Sequence, residues 1–242
     1  MKKLRSFLIL FFGFIVILSL VFFFSLRWTY PRVTSLMAER GPPYLQTWMP
    51  LSRISKPLQL AVLAAEDGSF YHHHGIDFYE MKESFKKNLR RKEYSRGFST
   101  ITMQLSKNLY LSRNKTLSRK SLEILIALSL EQILSKNRIL ELYLNVIEWG
   151  PHIYGAEAAS QFYFHKSASR LSEEESAFLA AIIPSPLKWG HWPPGSYVNH
   201  RTQMILARIG ARREQPTSTP EFPSFPESNP AEENLDGLDE LR

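Results

Sequence analysis

Apolar residues run without a charge from Ser6 to Leu26, SFLILFFGFIVILSLVFFFSL, a stretch of 21 residues, and an α-helix needs ~20 to cross the hydrocarbon core of a bilayer. The pattern predicts a membrane span. Lys2, Lys3 and Arg5 precede it, so the positive-inside rule holds residues 1–5 in the cytoplasm and carries everything after Arg27 to the outer side. The run exceeds the apolar region of a cleaved signal peptide and lacks a convincing small-x-small cleavage site, which favours an uncleaved anchor over 6–26. Residues 27–55 are rich in proline and read as a stalk, with Trp28 and Tyr30 where aromatic belts lie.

Beyond the stalk the apolar spacing is helical. A short helix follows Pro57 and ends at Glu66, a turn runs through Gly75, and Asp77 opens FYEMKESFKKNLRRKEY. Gly97 breaks that run, Ser99 starts STITMQLSKNLYL, and a long helix spans Thr116 to Leu134. Further helices are expected over Lys136–Leu144, Tyr154–Phe164 and Ser172–Ile183, the last opening with the capping box Ser172-x-x-Glu175 and stopping at Pro184. No strand-like alternation of useful length and no internal repeat is present. The expected architecture is an all-α domain over 56–213, followed by an acidic, Pro-rich, disordered tail over 214–242.

Charge divides the chain. The net charge is +7, but the tail from Glu214 holds eight acids and one base, leaving 15 acids and 29 bases, a net +14, on residues 1–213. A basic domain exported beside a membrane suits phosphate-bearing lipid head groups or an acidic polymer, and the outer side argues against nucleic acid. With no cysteine, the domain relies on its core alone, without disulfides or thiolate metal sites.

Three constellations carry candidate chemistry. Glu66 and Asp67 close the apolar run Leu60–Ala65, where burial and the negative end of the helix dipole both disfavour ionised carboxylates; such a setting can tune a Glu into a general base, and it also fits a solvated helix end. Gly97 to Thr102, GFSTIT, puts a glycine turn before a hydroxyl-rich helix start, a ready phosphate site or an ordinary N-cap, with Lys107 two turns farther on. The run from Leu122 to Leu134 is apolar around nearly its whole circumference, as in a helix central to a core, yet it contains Glu123, with Arg119 and Lys120 one turn earlier. A structural ion pair would explain that group; a polar cleft explains it better, because a buried charge must be compensated. His72-His73-His74 diverge on a turn with no partner spacing for zinc, and Ser84-x-x-Lys87 has no Lys-Thr-Gly or Ser-x-Asn downstream.

Taken together, Glu66-Asp67-x-x-Phe70-x-x-His73-x-Gly75, Gly97-x-Ser99-Thr100-Ile101-Thr102-x-Gln104-Leu105-x-Lys107-Asn108, Arg119-Lys120-x-x-Glu123 and Lys136-x-Arg138-Ile139-Leu140-Glu141-x-Tyr143-Leu144-Asn145 resemble the peptidoglycan glycosyltransferases. The resemblance covers Pro57 to Pro194 and looks like that of a monofunctional, biosynthetic member, since no transpeptidase domain follows. It departs at Met103, where the family has a first Gln before Gln104.

The resemblance implies a lysozyme-like domain with a smaller, membrane-facing lobe behind one transmembrane helix, at the bacterial cytoplasmic membrane, with the catalytic domain on the periplasmic side. It implies polymerisation of lipid II into glycan strands with release of undecaprenyl pyrophosphate and inversion at the MurNAc anomeric carbon. Glu66 takes the general-base role, and Lys107, Arg119 and Lys120 neutralise the pyrophosphate with a divalent cation, Mg or Mn. Glu123 is the second essential carboxylate, ordering the cations or helping hold the metal. Asp67, Phe70, His73, Ser99, Thr100 and Gln104 are expected at the substrate, with Lys136 and Asn145 supporting the cleft. Partners would be the growing strand, the membrane, and cell-wall synthesis or division proteins. A lysozyme-like muramidase and a catalytically silent scaffold are the rival readings. Phe78 to Arg91 is further expected to lie on the outer face of the membrane, its stripe Phe78, Met81, Phe85 and Leu89 surrounded by Lys82, Lys86, Lys87, Arg90 and Arg91.

Overall fold

The computed structural model describes residues 5–7, 10–14, 24–91, 99–114, 116–191 and 193–214. Most of the expected span, Gly97 and the tail beyond 214 lie outside the described residues, as do the side chains of Phe85, Lys87, Leu89, Arg90 and Arg91. Among the described residues no helix is long and apolar enough to cross a membrane.

Helices dominate the fold. In chain order they are α1 (Ser35–Arg40), α2 (Lys56–Glu66), α3 (Phe78–Arg91), α4 (Ile101–Tyr110), α5 (Leu117–Ile133), α6 (Lys136–Val146), α7 (Ala156–Phe164), α8 (Glu173–Ile182), α9 (Pro186–Trp189) and α10 (Ser196–Glu214). Hydroxyl caps set most of the starts: Ser55, Thr100, Thr116, Ser135 and Ser172 each accept a backbone N–H from the first turn of the helix they precede. The Ser172–Glu175 capping box forms as its spacing predicts. Two packed groups result. In one, α2, α8 and α10 pack on one another; in the other, α4 lies against α1, α5 and α6.

Two features differ from the sequence reading. Residues 27–55 do not stand off as a stalk. Within them α1 packs on α4, with Met37 fully buried, a side chain whose burial contributes about 1.5–3 kcal/mol. Leu45 and Gln46 form strand β1, which pairs in parallel with β3 (Ile153–Tyr154); β3 pairs antiparallel with β2 (Glu148–Gly150). These strands are two or three residues long, too short to show an alternation. The start of the segment is tied down as well: Arg138 Nε donates to Leu26 O at 2.9 Å, and Arg27 Nε donates to Ile133 O at 2.9 Å.

The second difference is α5. Of its residues only Glu123, Ala127 and Leu130 are buried, and Leu117, Leu122, Leu125 and Leu128 are exposed. The helix lies at the edge of the fold, and its apolar circumference is a covered stripe plus an open one.

Candidate active site

Glu66 is the last residue of α2, which the apolar positions Leu58, Ala61, Val62 and Leu63 bury against the core. Its carboxylate is held from two sides. Gln104 Nε2 donates to Oε2 at 3.0 Å, and Arg201 Nη2 donates to Oε1 at 3.1 Å. The sequence reading left this carboxylate uncompensated at a helix end; α10 supplies the compensating cation. The signal was present, because Arg201 falls three residues after Val198 and four before Ile205, on the stripe that α10 buries.

Asp67 turns the other way. His73 Nε2 lies 3.0 and 3.1 Å from its two oxygens, and Ile101 N donates to Oδ2 at 2.9 Å. The carboxylate therefore caps the start of α4 and fixes it to the end of α2. Thr100 Oγ takes the N–H of Met103 and donates to Gly75 O at 2.6 Å. Thus the start of α4 is not an open phosphate site: its N–H groups are engaged by Asp67 and Thr100, and Thr100 and Ile101 are buried. Gly75 is required where it stands. Its φ is +86°, and a Cβ there would meet Glu131 Cγ at 3.1 Å and Ala127 O at 3.3 Å.

Glu123 collects the cations. Arg119 Nη1 binds Oε2 at 2.6 Å, Lys120 Nζ binds Oε1 at 2.5 Å, and Ser99 Oγ donates to Oε1 at 3.1 Å. Burial works to raise the Glu123 pKa, but the hydrogen bonds and charge of Lys120, then those of Arg119 and Ser99, hold it below the ordinary carboxylate value. Both oxygens are committed to this cluster, and among the described residues no group of three or more His, Asp or Glu could hold a metal. The arrangement orders cations around a buried carboxylate.

Lys107 faces the same region with, among the described residues, no ion-pair partner. Burial pushes its pKa down; Glu123 opposes that, Arg119 and Lys120 reinforce it, and Glu66 opposes it. A half-buried ammonium in this state gains from any anion placed beside it. A cavity of about 550 Å³ provides the place, its lining including Gln104, Lys107, Asn108, Arg119, Arg40 and Pro184–Leu187. Gln104 both lines the cavity and binds Glu66, so one side chain links the carboxylate to a cation-lined space.

The other expected site residues make contacts within the fold. Phe70 is buried, with Lys136 Nζ 4.4 Å above its ring centroid and paired at 2.8 Å to Glu131. Asn145 is fully buried; it accepts from Met49 N and donates to Met49 O and Glu141 O, each at 2.8 Å, stitching the 45–55 segment to α6. Met103 packs with Ile76, Ala127 and Ile124 and is absent from the cavity wall, so the departure from Gln fills apolar space.

A family model described as Transglycosylase matches residues 35–210. The chain is 44% identical over 181 residues to a biosynthetic peptidoglycan transglycosylase of Nitrosospira multiformis, covering 74% of this chain and 79% of that one. It is 39% identical over 209 residues to a protein of the same name from Herminiimonas arsenicoxydans, covering 81% and 90%. A third, from Acinetobacter baylyi, is 41% identical over 182 residues, covering 72% and 81%.

Proposed function

This chain belongs to the transglycosylase family, and on that premise we propose that it polymerises lipid II into the glycan strands of peptidoglycan at the outer face of the bacterial cytoplasmic membrane. The observation that carries the reading is the link, through Gln104, between Glu66 and a cavity lined by Arg119, which is ordered on Glu123, and by Lys107, which can meet an anion. A glycan-cleaving enzyme needs the carboxylate; it has no use for cations gathered against a leaving pyrophosphate.

In the proposed reaction the 4-hydroxyl of an acceptor GlcNAc attacks the anomeric carbon of a donor MurNAc. The new C–O bond forms as the bond to the pyrophosphate breaks, and the electron pair leaves with the phosphate oxygen. The hydroxyl proton passes to the Glu66 carboxylate, which Gln104 and Arg201 hold in place. A single displacement inverts the anomeric centre. Lys107 and Arg119 meet the departing charge, so the leaving group needs no proton.

Ser6 to Leu26 is the membrane anchor in this reading, and the exposed leucines of α5 with Phe78, Tyr79 and Met81 of α3 face the bilayer from which a lipid-linked substrate enters. The test is incubation of the purified full chain with lipid II and gel analysis of glycan length. Strands longer than the substrate support the reading; hydrolysis products, or no product from folded protein, would refute it.

A further inference from the structure

Gln104 is an amide placed between a carboxylate and a phenol, and an amide has one end that suits each. Its Nε2 donates to Glu66 Oε2 at 3.0 Å, while its Oε1 accepts from Tyr143 Oη at 2.9 Å. Turned about, the amide would aim its oxygen at a carboxylate oxygen and its NH₂ at a hydroxyl. The carbonyl of Ser99, 3.5 Å from Nε2, adds a weaker preference for the observed sense. Tyr143 is completely buried on α6, and its ring cannot swing out of the core to release the contact. Burial, then the charges of Glu66 and Asp67, push the phenol pKa well above its ordinary value, so the hydroxyl remains a donor throughout the range in which a carboxylate base operates.

We propose that Tyr143 is a positioning residue for the transfer reaction: its hydroxyl locks the Gln104 amide so that Nε2 always donates to Glu66, keeping that carboxylate ionised and aimed into the cleft. This rests on the reading of Glu66 as general base. Other charged groups also act near Glu66. Arg201 of α10 holds the second oxygen, Arg208 of the same helix donates to Ala64 O, Lys107 acts from α4 at longer range, and Asp67 is turned onto His73 and Ile101 N. The buried face of α8, packed on α2, is uncharged. Tyr143 is thus the stronger of two groups, with the Ser99 carbonyl, that set which end of Gln104 meets the base.

The experiment compares wild type, Tyr143→Phe, Gln104→Met and the double variant as full chains in detergent. The carboxyl carbon of Glu66 is titrated by ¹³C NMR without substrate, assigned by its loss in Glu66→Gln, and lipid II turnover is followed against pH. In Tyr143→Phe the Glu66 titration midpoint and the acid limb of turnover both move up by roughly half a pH unit, less than complete loss of a hydrogen bond to a charged group because Ser99 still attracts the amide. KM stays within about twofold while kcat falls. In Gln104→Met, adding Tyr143→Phe moves the midpoint no further. An unmoved midpoint in Tyr143→Phe, or an equal shift with and without Gln104, would overturn the proposal. Because the titration needs no substrate, a shifted midpoint in a chain that fails to polymerise lipid II would keep the lock and discard the proposed reaction.

Discussion

Arg201 reaches Glu66 across 135 positions of sequence, its Nη2 3.1 Å from Oε1, and both side chains are largely buried. The contact joins α10 to the end of α2. It explains how a carboxylate can persist at a position where the helix dipole and burial both oppose its charge. It also makes α10 part of the site.

Glu66→Gln should preserve folding and ligand binding while turnover falls by about 10²–10⁴, the usual cost of losing a general base. Arg201→Ala should lower kcat less, by roughly tenfold to a hundredfold, and move the acid limb of the pH–rate profile upward, since the ionised carboxylate loses its partner. Arg201→Lys should recover part of both losses. Steady-state rates against pH and thermal midpoints check all three, and a Glu66→Gln enzyme retaining more than about a tenth of wild-type turnover would take Glu66 out of the chemistry.

Lys107→Ala should weaken binding of a pyrophosphate-bearing inhibitor of the moenomycin type. The folded pKa of Lys107 is lowered, chiefly by burial, and a bound anion favours the charged form. Wild-type affinity should therefore be greatest below that lowered pKa and decline as pH rises through it, with a shallower decline in Lys107→Ala. Calorimetric titration at several pH values measures this, and equal affinities in the two proteins would move the donor site elsewhere.

Glu123→Gln removes the charge on which Arg119 and Lys120 are ordered. It should cost about 1–3 kcal/mol at neutral pH, reduced from the value for a fully buried pair because Lys120 is partly exposed. Because the folded pKa of Glu123 is depressed, its contribution to stability is present above the ordinary carboxylate value of 4.5 and is lost as pH falls through the folded value. Urea unfolding at pH 7 should separate the two proteins, and at pH 3 the separation should be smaller.

The helices and their caps were readable because each rests on local chemistry: Ser172 with Glu175, Thr116 before α5, Glu66 at the end of an apolar run. The Glu123 cluster was readable for the same reason, since Arg119 and Lys120 lie within one turn of it. What the chain could not display locally is which side chains meet across it. Asp67 and Thr100 consume the N–H groups that made the start of α4 look like a phosphate site, and Asn145 spends its polar atoms on Met49, 96 residues away. The proline-rich spacing of 27–55 gave no hint that Leu45 would pair with Ile153. In α5 periodicity revealed an apolar surface but not how much of it the protein covers.

That uncovered surface carries the last prediction. Leu117 is 89% exposed, Leu122 50% and Leu125 60%, and Phe78 and Tyr79 at the start of α3 are 67% and 75% exposed. Gly75, shortly before α3, lies against Ala127, which puts the first turn of α3 and the middle of α5 in one lobe. Phe78 and Met81 of the α3 stripe are exposed and do not pack on the domain's own core. Apolar side chains left open in this number mark a surface that meets something other than water. The basic residues of α3, with Lys82 and Lys86 exposed among them, favour anionic head groups over an apolar protein face. Leu122→Ser with Leu125→Ser and Phe78→Ser should therefore reduce binding of residues 31–214, freed of the anchor, to vesicles containing anionic lipid. The thermal midpoint should move by no more than a degree or two, because little of this area is buried in the folded chain. Unchanged vesicle binding would exclude this face as the docking surface, and a large fall in the midpoint would assign it to the core.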